Sequence, residues 1–218
     1  MSLILVHELG HFVTAILLKI EPDKIYIYPF GGVSKLNIDL NESIKKEFIV
    51  LIMGPIMQFI FSYLLINIFS DYTELINTYN YTIILFNLLP IYPLDGGKLL
   101  NLFISLYKSF RNSYLLSIYI SYITVLIITI IYVSKNIKLN VIIIIFFLIY
   151  KISLELKNKN YVFDKFLLER YIKNYDFKKR KEVDNIKDFM RDKKHIVKKD
   201  NKYYTEKEIL NKKFKNKY

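Results

Sequence analysis

Apolar residues fill long runs in the first 150 positions of the chain and then give way to a mixed, Lys-rich stretch. A bilayer core of roughly 30 Å takes about 20 apolar residues as a helix. Five segments meet or approach that length: Met1–Ile20, Phe48–Phe69, Tyr79–Leu106, Ser113–Ser134 and Leu139–Leu154. The first carries a polar island at His7, Glu8 and His11. The third is interrupted by Pro90, Pro93, Gly96 and Gly97. Between the first two runs, Lys24–Leu40 alternates instead. Ile25, Ile27 and Pro29 interleave with Tyr26, Tyr28 and Phe30, and Gly31-Gly32 follows. Period-two alternation around a Gly-Gly turn predicts a short β-hairpin or a membrane-lying loop. The fold class expected is therefore an all-α polytopic membrane protein. It has about five transmembrane helices, a membrane-associated β-hairpin and a small α+β tail.

Charge divides the chain at the same place. Residues 1–150 hold 10 Lys and Arg against 9 Asp and Glu, and residues 151–218 hold 22 against 11. Nearly all of the net charge of +12 thus sits in the last third. That division excludes a single soluble globule and gives two expected parts, a membrane domain over 1–154 and a basic tail over 155–218. Lys and Arg gather on the cytoplasmic side of membrane spans, so the tail is expected in the cytoplasm. Lys135 and Lys138 run against this pattern, while Lys108, Arg111 and the five Lys between Lys19 and Lys46 agree with it. The chain has no Cys, which excludes thiolate metal sites, a Cys nucleophile and a disulfide scaffold. The first segment has neither the basic leader nor the small-residue cleavage site of a signal peptide, so it is expected to be retained.

The polar island carries the chemistry. His7-Glu8-Leu9-Gly10-His11 fits H-E-x-x-H. On a helix, residues four apart share a face, so both imidazoles can hold one metal ion, with Glu8 placed to take a proton from water. Two of the three His in the chain are these, and they sit in an apolar run where an ionisable residue costs roughly 2.5 kcal/mol or more without a partner. A polar cluster that only packs helices together is the bland alternative. His11 lies eight residues before Lys19, about 12 Å along a helix, so the site falls within the membrane on the cytoplasmic side. Asp95 is the one acidic residue of the third run. It lies beside Pro90, Pro93 and the Gly pair, which break the helix. Irregular backbone at membrane depth is tolerated where it lines a protein site. Asp95 is thus a candidate metal ligand, or else part of a loop turn just past a helix end. His195, distant from the other two, is expected at the surface.

Taken together, His7–His11 and Asn87–Gly97 resemble the site-2 protease class of intramembrane zinc metalloproteases, peptidase M50, most nearly its members from endospore-forming bacteria. Pro29–Gly32, Glu47-Phe48, Gly54-Pro55, Asn87–Leu100 and Phe166–Arg170 extend the resemblance to about residue 170. It implies one zinc ion held by His7, His11 and Asp95, with Glu8 as the catalytic base. It implies that Asn87, Pro90, Pro93 and the Gly31-Gly32 hairpin bind substrate. The implied substrate is a membrane-associated sigma-factor precursor whose pro-sequence (that of sigma-K) is removed in the mother cell, at the membrane surrounding the forespore. Inhibitory membrane proteins are the implied partners. Family members also have a further transmembrane helix ahead of the His pair, which would make six spans with a cytoplasmic N-terminus. They carry a C-terminal nucleotide-sensing module of the cystathionine-β-synthase type as well, which residues 183–218 resemble only in half. Nucleotide binding by the tail is not asserted, and direct nucleic-acid binding is not expected despite its interleaved Lys, Tyr and Phe. Two other readings stay open: a site-2-type protease for another regulatory membrane protein, and an inactive membrane scaffold.

Overall fold

A computed structural model describes residues 1–20, 24–28, 31–35, 38–133, 139–173, 175–177, 179–199 and 202–215, with the backbone alone for 24–28 and 31–35. The chain forms two compact units, Met1–Ile38 with Ile44–Leu89, and Asp39–Ser43 with Pro90–Tyr218.

The first unit is built on α1 (Ser2–Leu17) packed along α2 (Ile44–Ile68). The buried positions of α1 are Leu3, His7, Gly10, His11, Thr14 and Ala15. Their spacing of three or four keeps them on one helical stripe. Leu5, Leu9, Val13 and Leu17 lie on the other side and are exposed. In a lipid setting an apolar outer face of that kind is solvated by acyl chains. Ala15, Ile20 and Val50 close a small core at the end of α1, with Leu18 and Ile38 against it. Strands β1 (Lys24–Tyr28) and β2 (Gly31–Lys35) pair antiparallel, from Lys24 opposite Lys35 to Tyr28 opposite Gly31. The hairpin expected from the alternation is present, with one correction. Gly31 and Gly32 belong to β2, opposite Tyr28 and Ile27, rather than to the turn. Pro29 and Phe30 link the strands and lie outside the described residues. After α2, a 3₁₀ turn over Ser70–Tyr72 leads into α3 (Thr73–Asn87), which packs on α2.

In the second unit, α4 (Asp95–Ser105) packs on α5 (Phe110–Val133), and α5 on α6 (Leu139–Lys157). The seam between α4 and α5 is polar. Ser105 Oγ donates to Ser113 Oγ, and Asn101 Nδ2 to Ser117 Oγ. Ser113, Ser117 and Ser121 are fully buried at four-residue intervals along one face of α5. Small side chains let helices approach closely in a membrane, and their hydroxyls bond back to the helix carbonyls four residues earlier. Ser117 and Ser121 do this, at 2.8 and 2.6 Å.

Three described helices are long and apolar enough to cross a membrane: Ile44–Ile68, Phe110–Tyr132 and Leu139–Lys157. The sixteen residues of α1 make it a shorter apolar helix. The expected third run is two helices, α3 and α4, with non-helical residues between Asn87 and Asp95. Proline cannot continue a helix, and Pro90 and Pro93 both fall in that interval.

The basic tail does fold. Helix α7 (Lys159–Ile172) is followed by a sheet of order β3-β4-β5 (Lys179–Val183, Lys193–Lys199 and Lys202–Thr205) and by α8 (Glu206–Lys215). Strand β3 runs parallel to β4, and β5 antiparallel to it. Phe110, Phe166, Leu167, Val183, Phe189, Val197 and Leu210 form the core, with Phe110 and Phe166 stacked at 4.1 Å. Arg170 is buried at its centre. Its guanidinium donates to Asn41 Oδ1, to the Lys193 and Met190 carbonyls and to Glu206 Oε1 at 2.6 Å. Asn41 in turn donates to the Phe166 carbonyl and to Glu169, tying residues 39–43 to α7.

His195 is not at the surface, contrary to expectation. It is 1% exposed on β4, stacked at 4.5 Å on Phe189. Strand alternation turns residues 195 and 197 inward. Its Nε2 accepts the Met190 amide, so the ring is neutral with its proton on Nδ1, 3.5 Å from Glu206.

Candidate metal centre

Helix α1 places His7 and His11 one turn apart on its buried stripe, 2% and 5% exposed. Their rings meet edge to face, with centroids 4.8 Å apart. The proton on each ring can be assigned from its neighbours. His11 Nδ1 lies 2.8 Å from the Val50 carbonyl, which only accepts, so Nδ1 carries the hydrogen. His7 Nδ1 lies 2.8 Å from Gln58 Oε1. The Gln58 amide is itself oriented by Asn80, because Gln58 Nε2 donates to the Asn80 carbonyl at 3.2 Å and to Asn80 Oδ1 at 2.9 Å. A backbone carbonyl cannot donate, so Gln58 must offer its oxygen to His7, and His7 Nδ1 also carries the hydrogen. Both rings then present Nε2 as an acceptor, and the two Nε2 atoms stand 3.1 Å apart. Two convergent imidazole lone pairs at that separation are poorly matched to each other and well matched to a cation.

Backbone clearance makes this possible. A Cβ at Gly54 of α2 would stand 2.3 Å from the His11 ring. Only glycine at position 54 lets that ring lie flat against the helix. Glu8 follows His7 on α1 and is half-buried.

Asp95 opens α4 in the second unit and is 8% exposed. Leu94 before it is extended, and Lys98 N donates to the Leu94 carbonyl to start the helix. Lys98 Nζ is 3.7 Å from the Asp95 carboxylate. The segment ahead folds back on the helix start. A Cβ at Gly97 would come within 2.4 Å of the Ile91 carbonyl carbon and the Tyr92 nitrogen, so glycine is required there too. The Tyr92 amide donates to Ser121 Oγ of α5 at 2.7 Å. Pro90 and Pro93 are half-buried in this segment, and Asn87 is half-buried at the end of α3. Gly31 and Gly32 start β2 of the hairpin.

Gln58, Asn80, Val50 and Ser121 were not singled out from the sequence. Gln58 is the one amide side chain in the middle of an apolar helix, fully buried, and a polar group at such a position must have a partner. That signal marks the residue without saying which His it serves.

Residues 1–74 match the sequence model of Peptidase family M50. The chain is 34% identical over 186 residues to stage IV sporulation protein FB of Bacillus subtilis, covering 81% of this chain and 64% of that protein. It is 32% identical over 111 residues to a zinc metalloprotease of Methanocaldococcus jannaschii, covering 47% and 32%. The chain therefore spans somewhat under two thirds of the first relative and about a third of the second. Among solved structures, the site-2 protease from Methanocaldococcus jannaschii matches with a TM-score of 0.56 at 24% identity, over 71% of this chain and 74% of that one. Residues 1–74 thus match peptidase family M50 in sequence, and the chain has the fold of a site-2 protease.

Proposed function

We propose that this chain is an intramembrane zinc metalloendopeptidase, with His7, His11 and Asp95 holding one zinc ion and Glu8 acting as general base. The observation that carries this reading is the pair of Nε2 acceptors 3.1 Å apart, each fixed by a hydrogen bond at its Nδ1. The donor set suits the metal, since two neutral imidazoles and one carboxylate are ligands of catalytic zinc that leave a position open. Six His, Asp and Glu side chains are buried among the described residues. Glu169, His195 and Glu206 are engaged around Arg170 and Asn41 in the tail. That leaves His7 and His11 on α1, and Asp95 is the third ligand of this reading.

Bound zinc would supply Lewis acidity, polarising the scissile carbonyl and lowering the pKa of water. The chain's own residues do the rest. Glu8 takes the proton of the attacking water and hands it to the leaving amine. Asn87, Pro90 and Pro93 hold the substrate near the broken helix, and the Gly31-Gly32 strand offers it an edge. A helical substrate has its amides bonded internally, so the scissile bond must be unwound, and an edge strand can hold the extended form by β-augmentation.

In this reading the five apolar runs of residues 1–154 lie in the membrane, and the tail from 155 onward faces the cytoplasm, where its Lys side chains favour it. The substrate is a membrane-associated precursor, the pro-form of a sporulation sigma factor, cut in the mother cell. Support for that finer assignment is the 34% identity to a stage IV sporulation protein. Inhibitory membrane proteins are the partners that would time the cut.

The test is co-expression of the chain with a sigma-factor precursor, comparing wild type with Glu8→Gln. Processing by the wild type and none by the variant supports the assignment. Equal processing by both overturns the mechanism. Cleavage of a different membrane-anchored regulator, with the precursor left intact, keeps the mechanism and replaces the substrate.

A further inference from the structure

We propose that Gln58 and Asn80 are positioning residues for His7, an amide relay that selects its tautomer and aims Nε2 at the metal position. The relay crosses three helices of one unit. Asn80 on α3 fixes Gln58 on α2 through two acceptors, and Gln58 fixes His7 on α1. All three side chains are nearly or fully buried, at 1%, 0% and 2% exposure. At such burial an imidazole keeps whichever tautomer its neighbours can satisfy. Without an acceptor at Nδ1, the proton has no preferred nitrogen and the ring no preferred angle.

The two imidazoles are held differently. His11 is fixed by the Val50 carbonyl, a main-chain group that no substitution at position 50 removes. His7 Nδ1 is fixed by the Gln58 side chain, which a substitution does remove, so it is the ligand open to tuning. An outer partner that orients a ligating His typically contributes 10–100-fold to metal affinity. Asn80 adds a further consequence, because it belongs to the helix that ends at Asn87. A shift of α3 along its axis would loosen Gln58 and with it His7.

This inference rests on the zinc reading above. The experiment measures zinc affinity of the detergent-purified full chain by competition with a chelator, scoring bound metal rather than proteolysis. The variants are His7→Ala, Gln58→Leu, Gln58→Glu and Asn80→Leu. Gln58→Leu removes the acceptor and is expected to weaken zinc 10–100-fold. Gln58→Glu keeps an oxygen for His7 Nδ1 but loses both donations to Asn80, and an intermediate loss of about 3–10-fold, smaller than that of Gln58→Leu, is expected. Asn80→Leu removes the Oδ1 acceptor but leaves Gln58 its 3.2 Å bond to the residue-80 carbonyl, and a smaller loss of about threefold is expected. Helical content by circular dichroism is read on each preparation. If Gln58→Leu does not fold, the Asn80→Leu and Gln58→Glu pair decides.

Wild-type affinity in Gln58→Leu or Asn80→Leu overturns the proposal. So does an equal loss in Gln58→Leu and Gln58→Glu, which is what packing alone would give. If wild type holds no zinc, or His7→Ala holds as much as wild type, the metal reading itself falls.

Discussion

Gly54 stands where a side chain would occupy the His11 ring: a Cβ there would lie 2.3 Å from both Cε1 and Nε2. The contact sets how closely α1 and α2 approach and lets His11 Nδ1 reach the Val50 carbonyl. Alanine favours a helix over glycine by about 1 kcal/mol, so Gly54→Ala is expected to help α2 as an isolated element. In the folded chain it pushes the ring aside. The expected outcome is an overpacking cost of about 1–3 kcal/mol and at least a tenfold loss of zinc affinity. Thermal unfolding and chelator competition on the purified chain check both parts. A stabilised variant with normal zinc binding would show that the ring moves freely.

Asp95→Asn keeps size and one acceptor oxygen but removes the charge offered to a cation. Zinc per chain, measured by elemental analysis after dialysis, is expected to fall well below that of wild type. Unchanged stoichiometry would remove Asp95 from the ligand set and leave the carboxylate as a partner of Lys98.

Ser121→Ala takes away the hydroxyl that receives the Tyr92 amide, three residues before Asp95. Hydrogen bonds between membrane helices are worth about 0.6 kcal/mol on average and up to about 1.7. The expected loss of stability is therefore about 1 kcal/mol. Proteolytic rate is expected to drop more than substrate affinity, because the shift reaches Asp95 rather than the hairpin. Ser121→Thr preserves the hydroxyl and is expected to restore the rate. Steady-state cleavage of a fluorogenic peptide by the two variants separates these outcomes.

The tail is expected to lose stability as pH falls, in two windows. Burial pushes His195 below its ordinary value of 6.5, the Arg170 charge adding to this against Glu206. Its unfolded form therefore binds a proton first, and stability declines as pH drops through about 6.5. Burial alone would raise the Glu206 carboxyl, but the His195 hydrogen bond and the Arg170 guanidinium hold it below its ordinary 4.5. That contribution is complete above 4.5 and lost as the carboxylate protonates below it. Hydrogen exchange of the β4 amides, corrected for intrinsic pH dependence, is expected to speed up first below about 6.5. In Glu206→Leu, Arg170 stays buried without its 2.6 Å partner, and a loss of about 3–5 kcal/mol is expected.

Much of this was legible in the residues because its causes are local. The i, i+4 spacing of His7 and His11 determines that they share a helix face, whatever that helix packs against. Pro90 and Pro93 force a break in an otherwise apolar run. Alternation from Ile25 to Tyr28 predicted strands, and the antiparallel pair of β1 and β2 answers it. The Gly31-Gly32 turn did not follow, since glycine marks a turn only when the register puts it there, and here the register puts both in β2.

What the sequence by itself determined is which side chains are of ligand and base type and which segments are apolar, because charge, ligand type and periodicity travel with the residues. Tertiary structure alone decided how His7 and His11 are protonated, because Gln58 and Val50 lie 51 and 39 positions away. It also decided that His195 is buried under Phe189 and that the basic tail closes around one arginine. A hydrogen bond needs its partner within about 3 Å, and a distance that short between residues so far apart in the chain exists only after the helices have packed.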